Sequence, residues 1–168
     1  MTQPRRKKLR LPEYDYSSSG AYFVTICPKG RRCILSRIAA GEGLAPPEIR
    51  LTEIGRIVEE QILALSKRYP SIAVEKYVIM PNHVHLLLVL QGDSGGASPS
   101  PTVFDAVRVI KSLSARLSRT VPGEVQLWQR GYYEHVIRSE TDYREIRTYI
   151  DQNPAKWAED RYYETISS

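Results

Sequence analysis

The stretch that most restricts how this chain can fold is Tyr77-Val78-Ile79-Met80-Pro81-Asn82-His83-Val84-His85-Leu86-Leu87-Leu88-Val89-Leu90. Two apolar runs flank Met80-Pro81-Asn82, so the stretch reads as two strands joined by a tight turn, an antiparallel hairpin. Side chains on a strand alternate between faces. His83 and His85 therefore leave on one face with Leu87 and Val89, and Val84, Leu86, Leu88 and Leu90 leave on the other. The chain has only three histidines, and two of them are here. Two imidazoles on one face of a rigid strand can chelate a divalent cation. The competing reading is a pair of hydrogen-bonded structural histidines. A metal site would need a further ligand from elsewhere in the chain.

A chain of 168 residues is long enough for one domain with a sizeable core. We read residues 1–12 as a flexible basic arm and residues 13–168 as a single domain. No apolar run approaches the length that spans a bilayer. The basic N-terminus has no apolar signal segment behind it, which points to a cytoplasmic protein. Cys27 and Cys33 lack zinc-ligand spacing and read as structural thiols. The net charge of +5 is local, because Arg5, Arg6, Lys7, Lys8 and Arg10 stand together, and without them 19 basic residues face 19 acidic ones. Such a cluster suits a phosphate backbone, or serves only as a solubilising tail.

The remaining elements follow from periodicity and breakers. Ala21–Cys27 reads as a first strand, closed by Pro28-Lys29-Gly30. Residues 39–50, with Gly41, Gly43, Pro46 and Pro47, read as a loop. Residues 52–67 keep Ile54, Ile57, Val58, Ile62 and Leu65 at helical spacing before Tyr69-Pro70. Strands at 72–79 and 83–90 follow, then a Gly/Ser/Pro loop at 91–101. A helix is expected at about 102–119, with Thr102 and Asp105 as a capping box and Val103, Ala106, Ile110, Leu113 and Leu117 as its apolar stripe. Arg108, Lys111, Arg116 and Arg119 fall on the opposite side, more cations than solubility requires, and are candidates for phosphate contact. Residues 131–138 read as a fourth strand. A helix from 140 to 152 follows, again with a capping-box pair, Ser139 and Asp142, and Pro154 ends it. Residues 155–168, with Trp157, Tyr162 and Tyr163, read as a short mixed segment ending in a helical turn. The first six elements make a βαββαβ unit: an α+β, ferredoxin-like fold with an antiparallel sheet and an additional C-terminal helix. Helices cover one face of the sheet and leave the other to carry a site.

The last helix can complete such a site. Tyr149 and Asn153 are four residues apart and share a face. Tyr143 lies about 240° round the helix from Tyr149, so those two cannot serve one site together. A tyrosine hydroxyl with a pKa near 10 is a poor nucleophile unaided. Beside a metal-held phosphodiester it becomes competent. The plainer reading of Tyr149 is a packing residue in a chain with eleven tyrosines. On the fourth strand, His135 and Arg138 lie on opposite faces, and either can line the site or serve structure.

Met80-Pro81-Asn82-His83-Val84-His85 resembles the HUH motif of single-tyrosine transposases of the insertion-sequence 200/605 type. Tyr14-Asp15-Tyr16 followed by Gly20–Thr25 is similar to their N-terminal signature, and Ile110-Lys111-Ser112-Leu113 to their central helix. Trp128–Arg138 and Tyr149–Pro154 resemble the C-terminal block of the REP-associated tyrosine transposases. The resemblance implies that His83 and His85 ligate Mg²⁺ or Mn²⁺ and that Tyr149 is the nucleophile. Asn153 then stands where transposon-borne enzymes carry a glutamine as third ligand. Asparagine is shorter by one methylene, so either direct ligation or a bridging water fits. The expected activity is a single-stranded DNA endonuclease and strand transferase acting on hairpin or palindromic DNA through a 5′-phosphotyrosine. DNA contacts would come from the basic arm and the cationic helix. Relatives dock the tyrosine helix on their own body or on a dimer partner, so monomer and homodimer both stay open. The alternatives are a hairpin-binding relative without catalysis, a His-x-His metallohydrolase using activated water, and a binding module with structural histidines.

Overall fold

The computed structural model describes residues 20–92, 100–123 and 126–159. In chain order these form β1 (Gly20–Ile26), β2 (Ser36–Ala39), β3 (Glu48–Leu51), α1 (Glu53–Leu63), α2 (Leu65–Arg68), β4 (Ile72–Met80), β5 (His83–Leu90), α3 (Val103–Ser118), β6 (Tyr133–Ile137) and α4 (Glu140–Gln152). Short 3₁₀ turns occupy Lys29–Arg31 and Trp157–Glu159. The four long strands make one antiparallel sheet in the order β4-β5-β1-β6. That is the split βαβ arrangement expected for a ferredoxin-like unit: β1 lies between two strands that follow it only after helices. Among the described residues no helix is long and apolar enough to cross a membrane. The arm residues Arg5, Arg6, Lys7, Lys8 and Arg10, the Tyr14–Tyr16 signature, most of the 91–101 loop and Tyr162 and Tyr163 lie outside the described residues.

Alternation divides the sheet into two faces. Tyr22, Val24, Ile26, Val84, Leu86 and Leu88 are wholly buried on one of them, under α1 and α3. Both helices present an apolar stripe at helical spacing to that face. Thr52 caps α1 by accepting a hydrogen bond from Gly55 N–H (3.1 Å). Thr102 and Asp105 make the expected reciprocal box at the start of α3. Each wholly buried Leu, Ile or Val here contributes about 1.5–3 kcal/mol relative to exposure.

Three expectations need correction. First, the stripe of α3 is Val103, Ala106, Val107, Ile110, Ser114 and Ser118, with Leu117 exposed and Leu113 half-buried. Ser114 is buried because its hydroxyl accepts the indole N–H of Trp128 (2.9 Å) and donates to Ile110 O (2.6 Å). Second, the loop is shorter than 39–50: residues 40–47 form it, and its two ends are strands. β2 pairs with β3 as a separate two-stranded ribbon, Arg37 opposite Arg50 and Ile38 opposite Ile49. Third, the helix expected over 52–67 breaks at Ala64 into α1 and α2.

The ribbon's stem is tied to the β4–β5 turn. Leu35 N–H donates to Pro81 O (3.0 Å), and Ser36 Oγ donates to Ile79 O (2.9 Å). Leu35 O in turn accepts from Thr52 N–H and Thr52 Oγ1, both at 3.0 Å. Helix α1 approaches this carbonyl closely at Gly55, where a Cβ would sit 1.9 Å from Leu35 O. No side chain fits there.

The second sheet face is not left open. α4 and the ribbon lie on it over a small apolar cluster of Phe23, Val78, Met80, Leu87 and Ile150, with Ile38, Ile49, Ile137, Tyr143, Ile146 and Trp157 packed around.

Candidate active site

His83 and His85 stand on the second face with the spacing that alternation requires, and both are buried (0% and 1% exposed). Their rings are edge to face, centroids 4.5 Å apart. A buried imidazole is costly unless its polar atoms find partners. Asn82 Oδ1 lies 3.0 Å from His83 Nδ1, and Thr25 Oγ1 lies 2.8 Å from His85 Nδ1. Both Nδ1 atoms are thus engaged by the protein, the usual way a ligand histidine is oriented.

The third donor comes from α4. Asn153, at the C-terminal end of that helix, is 2% exposed, and its Oδ1 lies 3.2 Å from His83 Nε2. An octahedral cation with bonds of about 2.0–2.1 Å holds neighbouring ligands about 3 Å apart, which is close to this spacing. His85 Nε2 is also buried, and among the described residues no hydrogen bond reaches it. No cluster of three His, Cys, Asp or Glu side chains suited to a metal occurs among the described residues. The donor set is therefore two imidazoles and a neutral amide, which fits a divalent cation that keeps several positions for water or phosphate oxygen.

One turn before Asn153 on the same face of α4, Tyr149 lies over the sheet. Its ring is 5.3 Å from His85 and 6.0 Å edge-on from Phe23, and it stays 41% exposed. The packing alternative would bury it, yet the buried residue of this helix is its neighbour Ile150. Tyr143 packs in the second cluster with Arg147 over its ring, on another side of α4 as its spacing required.

Ties between charged groups hold α4 in this pose. Lys76 pairs with Asp151 and Arg147 with Glu75 (4.0 Å), both to the edge strand β4. At the other end of the sheet His135 Nε2 meets Asp142 Oδ2 (2.7 Å). His135 thus shares the site's face but serves to seat α4. Asp142 is consequently not the second arm of a capping box: Ser139 Oγ accepts from Asp142 N–H, and the carboxylate goes to His135. Arg138 is exposed at the strand end.

The cationic helix lies elsewhere. α3 packs on the opposite face of the sheet, so Arg108, Arg116 and Arg119 are exposed but do not front the histidines. Lys111 Nζ donates to Gln129 O and Gly131 O, both at 2.8 Å, so its ammonium anchors the segment that leads into β6. Thr25, Asn82 and Phe23 are site residues that sequence reasoning missed. Asn82 lay inside the motif, whereas Thr25 becomes visible only through its register opposite His85.

A family model described as "Transposase IS200 like" matches residues 17–153. This chain belongs to that family. An uncharacterized protein of Haemophilus influenzae is 30% identical over 173 residues, an alignment that covers 94% of this transposase-family chain and 93% of the relative. A solved structure of a REP-associated tyrosine transposase bound to a REP hairpin has the same fold. Its TM-score is 0.61 at 24% identity, covering 88% of this chain and 73% of that one. The IS200-like assignment and the α+β ferredoxin-like fold both agree with the motifs read from the sequence.

Proposed function

We propose that this member of the transposase family nicks and rejoins single-stranded DNA folded into hairpins, with Tyr149 as nucleophile and His83, His85 and Asn153 as the metal ligands. The observation that carries the reading is the convergence of α4 on the β5 histidines. Tyr149 lies 5.3 Å from the His85 ring, and Asn153 Oδ1 lies 3.2 Å from His83 Nε2. The hairpin substrate is supported by the fold shared with the transposase solved on a REP hairpin.

In this reading the Tyr149 oxygen attacks the scissile phosphorus. A Tyr–O–P bond forms, the P–O3′ bond breaks, and the 3′-oxygen leaves as a hydroxyl, taking up the proton that the phenol gives up. The phosphodiester energy is kept in the link, so the reverse attack by a 3′-hydroxyl rejoins a strand without a nucleotide cofactor. A bound Mg²⁺ or Mn²⁺ would polarise the scissile phosphate and stabilise charge on its oxygens. Asn82 and Thr25 orient the two imidazoles, and Ile150 seats the helix that brings Tyr149 to the phosphate.

The test is a denaturing gel of the protein incubated with a labelled hairpin oligonucleotide and Mn²⁺. Wild type should give a covalent protein–DNA adduct and Tyr149→Phe none. Equal adduct in Tyr149→Phe would remove the tyrosine from this role. Cleavage without adduct in that variant would instead favour activated water. In calorimetry Mn²⁺ should bind wild type, and a His83→Ala/His85→Ala double variant should not bind it.

A further inference from the structure

Along one flank of α3 run Phe104, Val107, Arg108, Lys111 and Ser112, which is i, i+3, i+4, i+7, i+8 spacing. Facing this flank is the turn into β6, Gly131 and Tyr132. Together they enclose a cleft of about 380 Å³, within the ~300–1,000 Å³ range of small-ligand sites. The aromatic and aliphatic groups form its walls: Phe104 is 46% exposed, Val107 is buried and Tyr132 half-buried. Arg108 stands exposed at the rim. Asp105, the one acid on α3, is engaged at the helix start by Thr102. The cleft is also held in shape. Lys111 anchors the carbonyls of Gln129 and Gly131, and Trp128 is bonded to Ser114. The two sides cannot drift apart without breaking these bonds.

Position links the cleft to the candidate active site. Tyr133 pairs with Thr25, the residue bonded to His85, and its ring is 6.3 Å from Phe23 on the site's face. Tyr132, the preceding residue, faces the α3 side. β6 is an edge strand of the sheet. A polymer that crosses this edge beside Tyr133 passes from the site to the cleft within one residue's width.

We propose that the cleft takes an unpaired nucleobase of the DNA strand that crosses the β6 edge. Phe104 and Tyr132 supply the stacking surfaces, and Arg108 meets the adjoining phosphate. The inference rests on the single-stranded DNA substrate proposed above. A nucleotide joins a flat π-face to an anion, and this cleft joins aromatic walls to a cationic rim. An apolar peptide would make no use of Arg108, and a purely acidic one no use of two aromatic rings. Stacking of this kind tolerates any base, so the cleft would hold the strand without reading its sequence.

The experiment compares two probes on the full chain by fluorescence anisotropy: an oligothymidylate and an abasic strand of equal length, alike in charge. Wild type should bind the base-bearing strand more tightly. Phe104→Ala and Tyr132→Ala should each weaken that strand roughly five- to a hundredfold and leave the abasic strand unchanged. Tyr132→Leu keeps an apolar side chain without the π-face and should lose the same preference, and it serves in place of the alanine variant if that one fails to fold. Equal affinity of wild type for the two probes, or a preference that survives in Phe104→Leu/Tyr132→Leu, overturns the proposal. Adduct formation on the same preparations separates the two readings. Adduct without base preference overturns the cleft alone; base preference without adduct supports the cleft and overturns the nucleophile.

Discussion

On one face of the sheet Tyr22, Val24, Val84, Leu86 and Leu88 are wholly buried under two amphipathic helices; on the other, alternate residues of the same strands put Thr25, His83 and His85 at equal depth. The first face gains from every buried methylene. The second carries polar groups that exchange water for protein partners: Thr25 with His85, Asn82 and Asn153 with His83. Its cover, α4, rests on five buried apolar residues, of which it supplies only Ile150. Half-buried Tyr143 and Ile146 add apolar contact, and the ion pairs of its partly exposed groups are worth about 0–1 kcal/mol each. One face therefore holds the molecule together, and the other holds the candidate site under a more lightly fastened helix. Exposed, weakly held elements open first, and on the function proposed above such opening would admit the DNA strand beneath α4.

Equal truncations on the two faces test this contrast most severely. Leu86→Ala should cost about 2–5 kcal/mol in urea unfolding. Ile150→Ala, from a similarly buried position (2% exposed), should cost about 2 kcal/mol, the low end of that range, and appear first as faster hydrogen exchange in α4. Equal losses with unchanged α4 exchange would mean that the helix is as firmly built in as the core. A smaller effect is expected of Asp142→Ala, which removes the tie to His135. We expect under about 1 kcal/mol of global stability lost, with adduct formation falling further than stability does. Smallest is a pH effect on the core side. Burial, and then the hydrogen bond and charge of Glu59, raise the Tyr77 hydroxyl from 10 to about 12. A pKa raised in the folded state means stability is fully present below pH ~10, the unfolded value, and is lost as pH climbs through about 12. Tyr77→Phe should flatten that part of a thermal-melt series between those pH values.

Much of this was legible because the long elements carry their own signals. The hairpin 72–90 has two-fold alternation and a Pro-Asn turn, and Thr102 and Asp105 announce the start of α3. The ribbon was not legible. Ser36–Ala39 and Glu48–Leu51 are four residues each, and Gly41, Gly43, Pro46 and Pro47 between them look like any loop. Its strands are held by Pro81 and Ile79, far off in sequence. The stripe of α3 misled for a similar reason, since Ser114 is buried by a bond to Trp128, fourteen residues on. In the candidate site, the shared faces of His83 with His85 and of Tyr149 with Asn153 were readable from spacing, and a ligand role for Asn153 came only with the family resemblance. The engagement of Asp142 with His135 was not, because a capping box and a strand-to-helix pair look identical until the fold brings β6 beside α4.

Tyr149 reaches the histidines of its own chain. On the function proposed above, each copy would carry both the histidines and the tyrosine, and the loss of either would be private to the copy that suffers it. Mixing Tyr149→Phe protein with His83→Ala protein should rescue nothing. Dilution of wild type should leave the turnover per molecule unchanged.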